Sequence, residues 1–203
     1  VNEIVVVDTG STDNTITVAR KLGARVYSFP WQDDFSKARN FALSKAKGDW
    51  LVLLDADEYF TAKTAGNICQ VIRQAHQADA LLIQMVNYDV DKAEIQDYFY
   101  QLRIVRNQQG LHYEGKIHEE LKLSEGKPMK FLRIPPEMLE IYHTGYASSV
   151  SRQKSERNLK LLQQAVDNGQ SEADLARYFC DCYLGLGDME KCRCYVLDDD
   201  GEY

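Results

Sequence analysis

Asp55, Asp57 and Glu58 place three carboxylates within four positions, directly after the apolar run Trp50-Leu51-Val52-Leu53-Leu54. Like charges at that spacing repel, and unpaired carboxylates are costly to bury, so such a cluster at the end of a buried strand calls for a cation among the acids. A divalent metal is the simplest choice, because carboxylate oxygens are its natural ligands. Another acid, Asp8, closes the apolar run Ile4-Val5-Val6-Val7 and is followed by the turn Thr9-Gly10-Ser11. The rest of the chain has to position these two acidic strand ends.

Around them the sequence alternates strand and helix. The β-branched run from Glu3 to Val7 predicts a strand, after which Ser11 or Thr12 is placed to cap a helix that runs to Leu22 and stops at Gly23. Val26 to Phe29 predicts a second strand. Asp34 to Lys45 predicts a helix with Phe35, Ala38, Ala42 and Ala46 on one stripe, and Gly48 separates it from a strand over Trp50 to Leu54. Crossover helices between strands imply a mainly parallel sheet flanked by helices, with ligands bound beyond the strands' carboxyl ends, so Asp8 and Asp55 are expected to face one crevice.

Further along, Ala65 to Ala75 predicts a helix, and Ala80 to Val86 and Tyr98 to Val105 an antiparallel pair, since no crossover helix fits between them. Gly110 to Glu120 shows no strong period and reads as a functional loop, whereas Ile134 to His143 ends in a short strand after Pro135-Pro136. From Ser151 the pattern is helical only. Leu159, Leu162 and Ala165 form one stripe, Asn168-Gly169 a break, and Ser171 to Leu186 a second helix. The expected organisation is an α/β domain over 1–147 and a small α-helical appendage over 148–203.

Composition narrows the function. The 203 residues carry a formal charge of −7, which gives no general attraction to nucleic acid or an anionic membrane surface. No apolar run approaches the roughly 20 residues of a membrane span, and no signal-peptide pattern is present, so a cytoplasmic protein is expected. The five cysteines are read as reduced thiols; Cys180-Asp181-Cys182 and Cys192-Arg193-Cys194 lie in a helical pattern and lack the usual zinc spacing. The turn after Asp8 has neither the dinucleotide nor the P-loop glycine pattern. Asp8-Thr9-Gly10-Ser11 also suits an aspartic protease loop, but occurs once, with a capped helix following. Asp198-Asp199-Asp200 is read as an acidic tail, not a calcium loop.

In order and spacing, Ile4 to Thr15, then Ala38-Arg39-Asn40, then Gly48-Asp49-Trp50 leading into Asp55-Ala56-Asp57-Glu58, resemble the family-2 inverting glycosyltransferases of GT-A fold, over residues 1–147. The resemblance implies a nucleotide-diphospho-sugar transferase fold, a UDP-sugar or similar donor, and Mg²⁺ or Mn²⁺ on the diphosphate. Carried over by motif, Asp8, in a turn with Gly10 and Ser11, contacts the base, Arg39 lies near the nucleotide and Asp55 approaches the ribose. Asp57 is the expected metal ligand, and Glu58 only tunes the rim. Members of the family usually begin with a further strand bearing a Lys-Asn-Glu-like turn, so part of the nucleotide pocket is expected ahead of Val1.

The acceptor side is expected from Gly115-Lys116-Ile117-His118-Glu119, which resembles a Gly-x-Ile-His-Glu stretch in the subgroup that carries C-terminal helical repeats. That implies Glu119 as the base, with His118 beside it. His143, at the end of the last strand, is expected on the metal or diphosphate. Ala176-Arg177-Tyr178-Phe179 and Tyr183 to Lys191 resemble part of a tetratricopeptide repeat, which suits a protein or peptide partner. The acceptor is expected among glycans, lipids and peptides. Two rival readings are a sugar-phosphate nucleotidyltransferase and a non-catalytic helical-repeat scaffold.

Overall fold

The computed structural model describes residues 1–117, 119–124, 128–145 and 148–197. The chain forms two compact units, one of Val1–Met85 with Phe99–Ile141, the other of Val86–Tyr98 with the chain from Tyr142 onward.

The first unit begins with β1 (Val5–Asp8), α1 (Thr15–Lys21), β2 (Arg25–Ser28) and α2 (Phe35–Lys45). β1 and β2 pair in parallel with Val7 opposite Tyr27, as the crossover helix requires. α1 starts later than expected. Its cap is Asn14, which makes no side-chain cap bond, while Asp13 accepts a hydrogen bond from Thr15 N at 2.9 Å. Ser11 does not cap the helix, because its side chain as well as its N–H is engaged by the Asp8 carboxylate. α2 follows expectation at its start, where extended Asp34 accepts from Lys37 N at 3.1 Å.

β3 (Trp50–Val52) and β4 (Glu58–Phe60) flank the acidic turn, and α3 (Ile68–Gln74) follows a short 3₁₀ turn. β5 (Ala80–Asp89), β6 (Glu94–Arg106), β9 (Phe131–Arg133) and β10 (Glu140–His143) complete a sheet ordered β3-β6-β5-β10-β4, with β9 also paired to β5. β5 pairs in parallel with β9, but β3 runs antiparallel to β6, Leu51 lying opposite Val105.

Side-chain alternation explains why the central strands are apolar on both faces. Leu81, Ile83, Met85 and Ile104 pack with Val71 and Ala75 of α3, while Ala80, Leu51 and Val105 pack with Leu43 and Ala46 of α2. The expected loop over Gly110 to Glu120 is instead largely a hairpin, β7 (Leu111–Glu114) against β8 (Glu120–Leu123), with Tyr113 opposite Leu121. Its strands are short and neither presents a fully buried face, so no clean two-residue period shows in the sequence.

In the second unit, α4 (Ser148–Asp167), α5 (Ala176–Leu186) and α6 (Met189–Leu197) pack in sequence around Leu162, Ala165, Phe179, Cys182 and Cys192. Gly187, at φ +79°, ends α5, and Asp188 accepts from Lys191 N at 3.1 Å to start α6. All five cysteines are free thiols. Among the described residues no helix is long and apolar enough to cross a membrane. The acidic tail lies outside the described residues.

Ile83→Ala is expected to lower folding stability by about 2–5 kcal/mol, because it empties a fully buried site between the sheet and α3; urea denaturation checks it.

Candidate active site

Asp8 ends β1 nearly buried, and its carboxylate accepts hydrogen bonds from Gly10 N at 3.2 Å and Ser11 N at 3.2 Å. Gly10 sits at φ +128°, in open space, so conformation and not crowding selects glycine there. A hydrogen bond from the Ser11 side chain, with the two main-chain donors behind it, outweighs the cost of burial and holds the Asp8 carboxyl below its ordinary range. Gly10 and Ser11 thus form a cradle for Asp8.

α2 carries the next two contributors. Asn40 Nδ2 donates to Tyr113 O at 2.9 Å, and Tyr113 N donates back to Asn40 Oδ1 at 2.7 Å, so one side-chain amide fixes both main-chain groups of a β7 residue. One turn earlier, Ser36 Oγ donates to Gly115 O, and Phe35 N donates to Lys116 O at 2.9 Å. These bonds seat the hairpin on α2.

Arg39 lies between them. Its Nη2 approaches Asp55 Oδ1 at 2.8 Å and Oδ2 at 3.0 Å, its Nε donates to Glu119 Oε1, and its guanidinium lies over the Tyr113 ring at 5.5 Å. Burial disfavours the guanidinium charge, but Asp55 and Glu119 more than offset this and hold its pKa above the ordinary arginine value. Tyr113 is pushed up by burial, partly opposed by Arg39.

The acidic turn is differentiated. Leu53 N donates to Arg103 O at 2.8 Å, which prolongs the β3–β6 pairing toward Asp55. Asp55 is 37 % exposed at its side chain, whereas Glu58 is 2 % exposed and paired with Arg103, itself 8 % exposed. Glu58 is therefore not a rim residue as the sequence suggested. It points inward because its alternation partner on β4, Tyr59, takes the exposed face.

The structure thus brings together three of the expected residues, Arg39, Asp55 and Glu119, and adds Tyr113, Glu58 and Arg103. Asp57 lies half-buried within the same turn. Asp8, Gly10 and Ser11 form their own cluster on β1, a strand that packs against α2. His143 belongs to the second unit, where Nδ1 shares a hydrogen bond with Asn87 Oδ1 at 2.8 Å; Asn87 also donates to Asp97 at 2.7 Å. His118 lies outside the described residues. Nothing local in Leu102-Arg103-Ile104 signals a partner at Glu58. Asn40 stands inside the Ala38-Arg39-Asn40 motif and Tyr113 inside the segment expected to be a functional loop, yet only the fold gives them their role.

Among the described residues, no three His, Cys, Asp or Glu side chains form a ready-made metal cage. A cation shared with substrate phosphates needs only one or two carboxylates. Asp55, Glu58 and Glu119 pair with Arg39 and Arg103, and Asp57 adds a further carboxylate to the same turn, an excess of negative charge that suits such a cation.

The fold is that of a GT-A domain, an α/β sheet with acids at the carboxyl ends of strands. Residues 1–132 match glycosyl transferase family 2, and the chain belongs to that family. It is 28% identical over 191 residues to a TPR repeat-containing protein of Synechococcus elongatus, covering 92% of this chain and 46% of that protein. It is also 28% identical over 176 residues to the SPbeta prophage-derived glycosyltransferase SunS of Bacillus subtilis, covering 81% and 39%. The chain therefore spans less than half the length of these curated relatives. In fold it is similar to S. aureus TarS 1–349, with a TM-score of 0.54 at 17% identity, covering 98% of this chain and 66% of that one. The TarS complex with UDP-GlcNAc gives 0.53 at 19%, covering 90% and 64%.

Because the Asp8 carboxyl is held low, its contribution to stability is complete above the ordinary aspartate value of 3.8 and is lost as pH falls through its lower folded value. Asp8→Asn should therefore flatten the acid limb of stability; urea midpoints from about pH 2 to 7 measure this.

Proposed function

We propose that the chain holds the catalytic domain, over 1–147, of a metal-dependent inverting glycosyltransferase that moves a sugar from a UDP-sugar to a glycan, lipid or peptide acceptor, with 148–203 a helical segment suited to a protein partner. The carrying observation is that Arg39 joins Asp55, on the donor side, to Glu119, on the acceptor side. Membership of glycosyl transferase family 2 weighs against the nucleotidyltransferase and scaffold readings. The UDP-GlcNAc complex of TarS supports a UDP-linked donor.

In this reading Asp8, steadied by Gly10 and Ser11, meets the base, Asp55 meets the ribose and Arg39 meets the nucleotide phosphates. Asp57 would hold the divalent ion. Bound there, Mg²⁺ or Mn²⁺ neutralises charge gathering on the departing diphosphate. Glu119, with His118 beside it, takes the acceptor's proton on the face opposite the leaving group, which is what a single inverting displacement demands. The protein works in the cytoplasm, where nucleotide sugars are the donor pool.

Calorimetry of UDP with and without Mn²⁺ tests the donor site. Mn²⁺ is expected to tighten UDP by about tenfold or more. Asp57→Ala should erase that gain while the thermal midpoint stays near wild type; equal UDP affinity with and without Mn²⁺ in the unsubstituted protein would sink the metal-dependent reading. Glu119→Gln is expected to cut transfer by about 10²- to 10⁴-fold with UDP binding retained. Unchanged transfer removes Glu119 as base.

A further inference from the structure

Glu58 is the one acid of the turn that the structure withdraws from solvent, and both of its oxygens are engaged. Oε1 takes Arg103 Nη2, and Oε2 accepts from Asp55 N at 3.1 Å. Glu58 N in turn donates to Asp55 O at 3.0 Å, so residues 55 and 58 are closed on each other by two hydrogen bonds of opposite sense. Asp57 is held inside that closed turn.

Arg103 reaches the same place from β6. Its main-chain oxygen receives Leu53 N at 2.8 Å, its Nη2 also stands 3.7 Å from Asp55 Oδ2, and its Nε has no hydrogen-bond partner among the described residues. A buried guanidinium with one donor already unmet depends strongly on its carboxylate. Buried ion pairs are nonetheless poor sources of net stability, since apolar replacements of similar volume are often as stable or more so. Stability alone does not account for this pair.

We propose that Glu58 and Arg103 form a buried clamp that positions the Asp55–Asp57 turn for the nucleotide-sugar donor. They are positioning residues: neither touches the ligand, and they act through the Asp55 amide and the path of the turn. The inference rests on the donor-site reading above, but its physical core, that the pair holds the turn, can be measured without any ligand.

The test compares the protein with Glu58→Gln, Arg103→Lys and the double variant Glu58→Leu with Arg103→Met. Thermal midpoint, hydrogen exchange at the Asp55 amide and UDP affinity in Mn²⁺ are read for each. The double variant is expected to melt near wild type, yet to exchange the Asp55 amide about tenfold faster and bind UDP about tenfold more weakly, the loss of one charge-assisted hydrogen bond. Wild-type exchange and wild-type UDP affinity in a folded variant overturn the clamp. Should the double variant not fold, the two single substitutions carry the same comparison, because Gln and Lys preserve volume and one end of the network. If the unsubstituted protein does not bind UDP, the donor reading fails, and Asp55 exchange alone then decides the clamp.

Discussion

Arg39 is the charge on which the first unit's site depends. It sits partly buried on α2, and its charge is balanced there by two carboxylates that reach it from different parts of the chain, Asp55 beyond β3 and Glu119 before β8. Remove the guanidinium and two acids from separate elements lose their shared counter-charge. The acidic turn, the helix and the hairpin therefore form one electrostatic unit, although no two of them are neighbours in sequence.

Each element arrives at that junction by a local device. Asp34 caps α2 and sets where the helix begins; Ser36 and Asn40, one turn apart, take hold of the hairpin; the bond from Leu53 to Arg103 carries the sheet up to Asp55. Behind them, β5 and β6 are packed on both faces, so the turn and the hairpin are mounted on the stiffest part of the unit. Sites built on packed elements hold their side chains more closely than sites on loops alone.

The parts that were legible in the sequence are those with local signals. Apolar runs followed by Asp, Gly at helix ends, and Asp34 before α2 gave the strand-turn-helix order and the acidic turn to within a few residues. The motif around Arg39 and the Ile117 to Glu119 stretch also marked residues that the structure joins. What stayed hidden depends on distant partners. Glu58 and Arg103 are 45 positions apart, and a lone arginine in a strand looks like a solvated edge charge until its partner is known. The hairpin was hidden for a different reason: strands of four residues on a half-buried surface leave no period to read. The short β9 stayed hidden too, because three exposed residues are too few to show a period.

Asn40 has a consequence that concerns inheritance. Because a side-chain amide both donates and accepts, it can stand in for a missing neighbouring strand and satisfy the two main-chain groups of Tyr113 at once. Aspartate at that position lacks the donor, and serine is too short to span both groups. The seat of the hairpin is therefore written in Ser36 and Asn40 of α2 and in backbone atoms, which every substitution in β7 and β8 except proline leaves in place. Hairpin side chains other than Tyr113 and Glu119 are free to drift and meet new acceptors, while the foundation they stand on is passed down through two short side chains of α2.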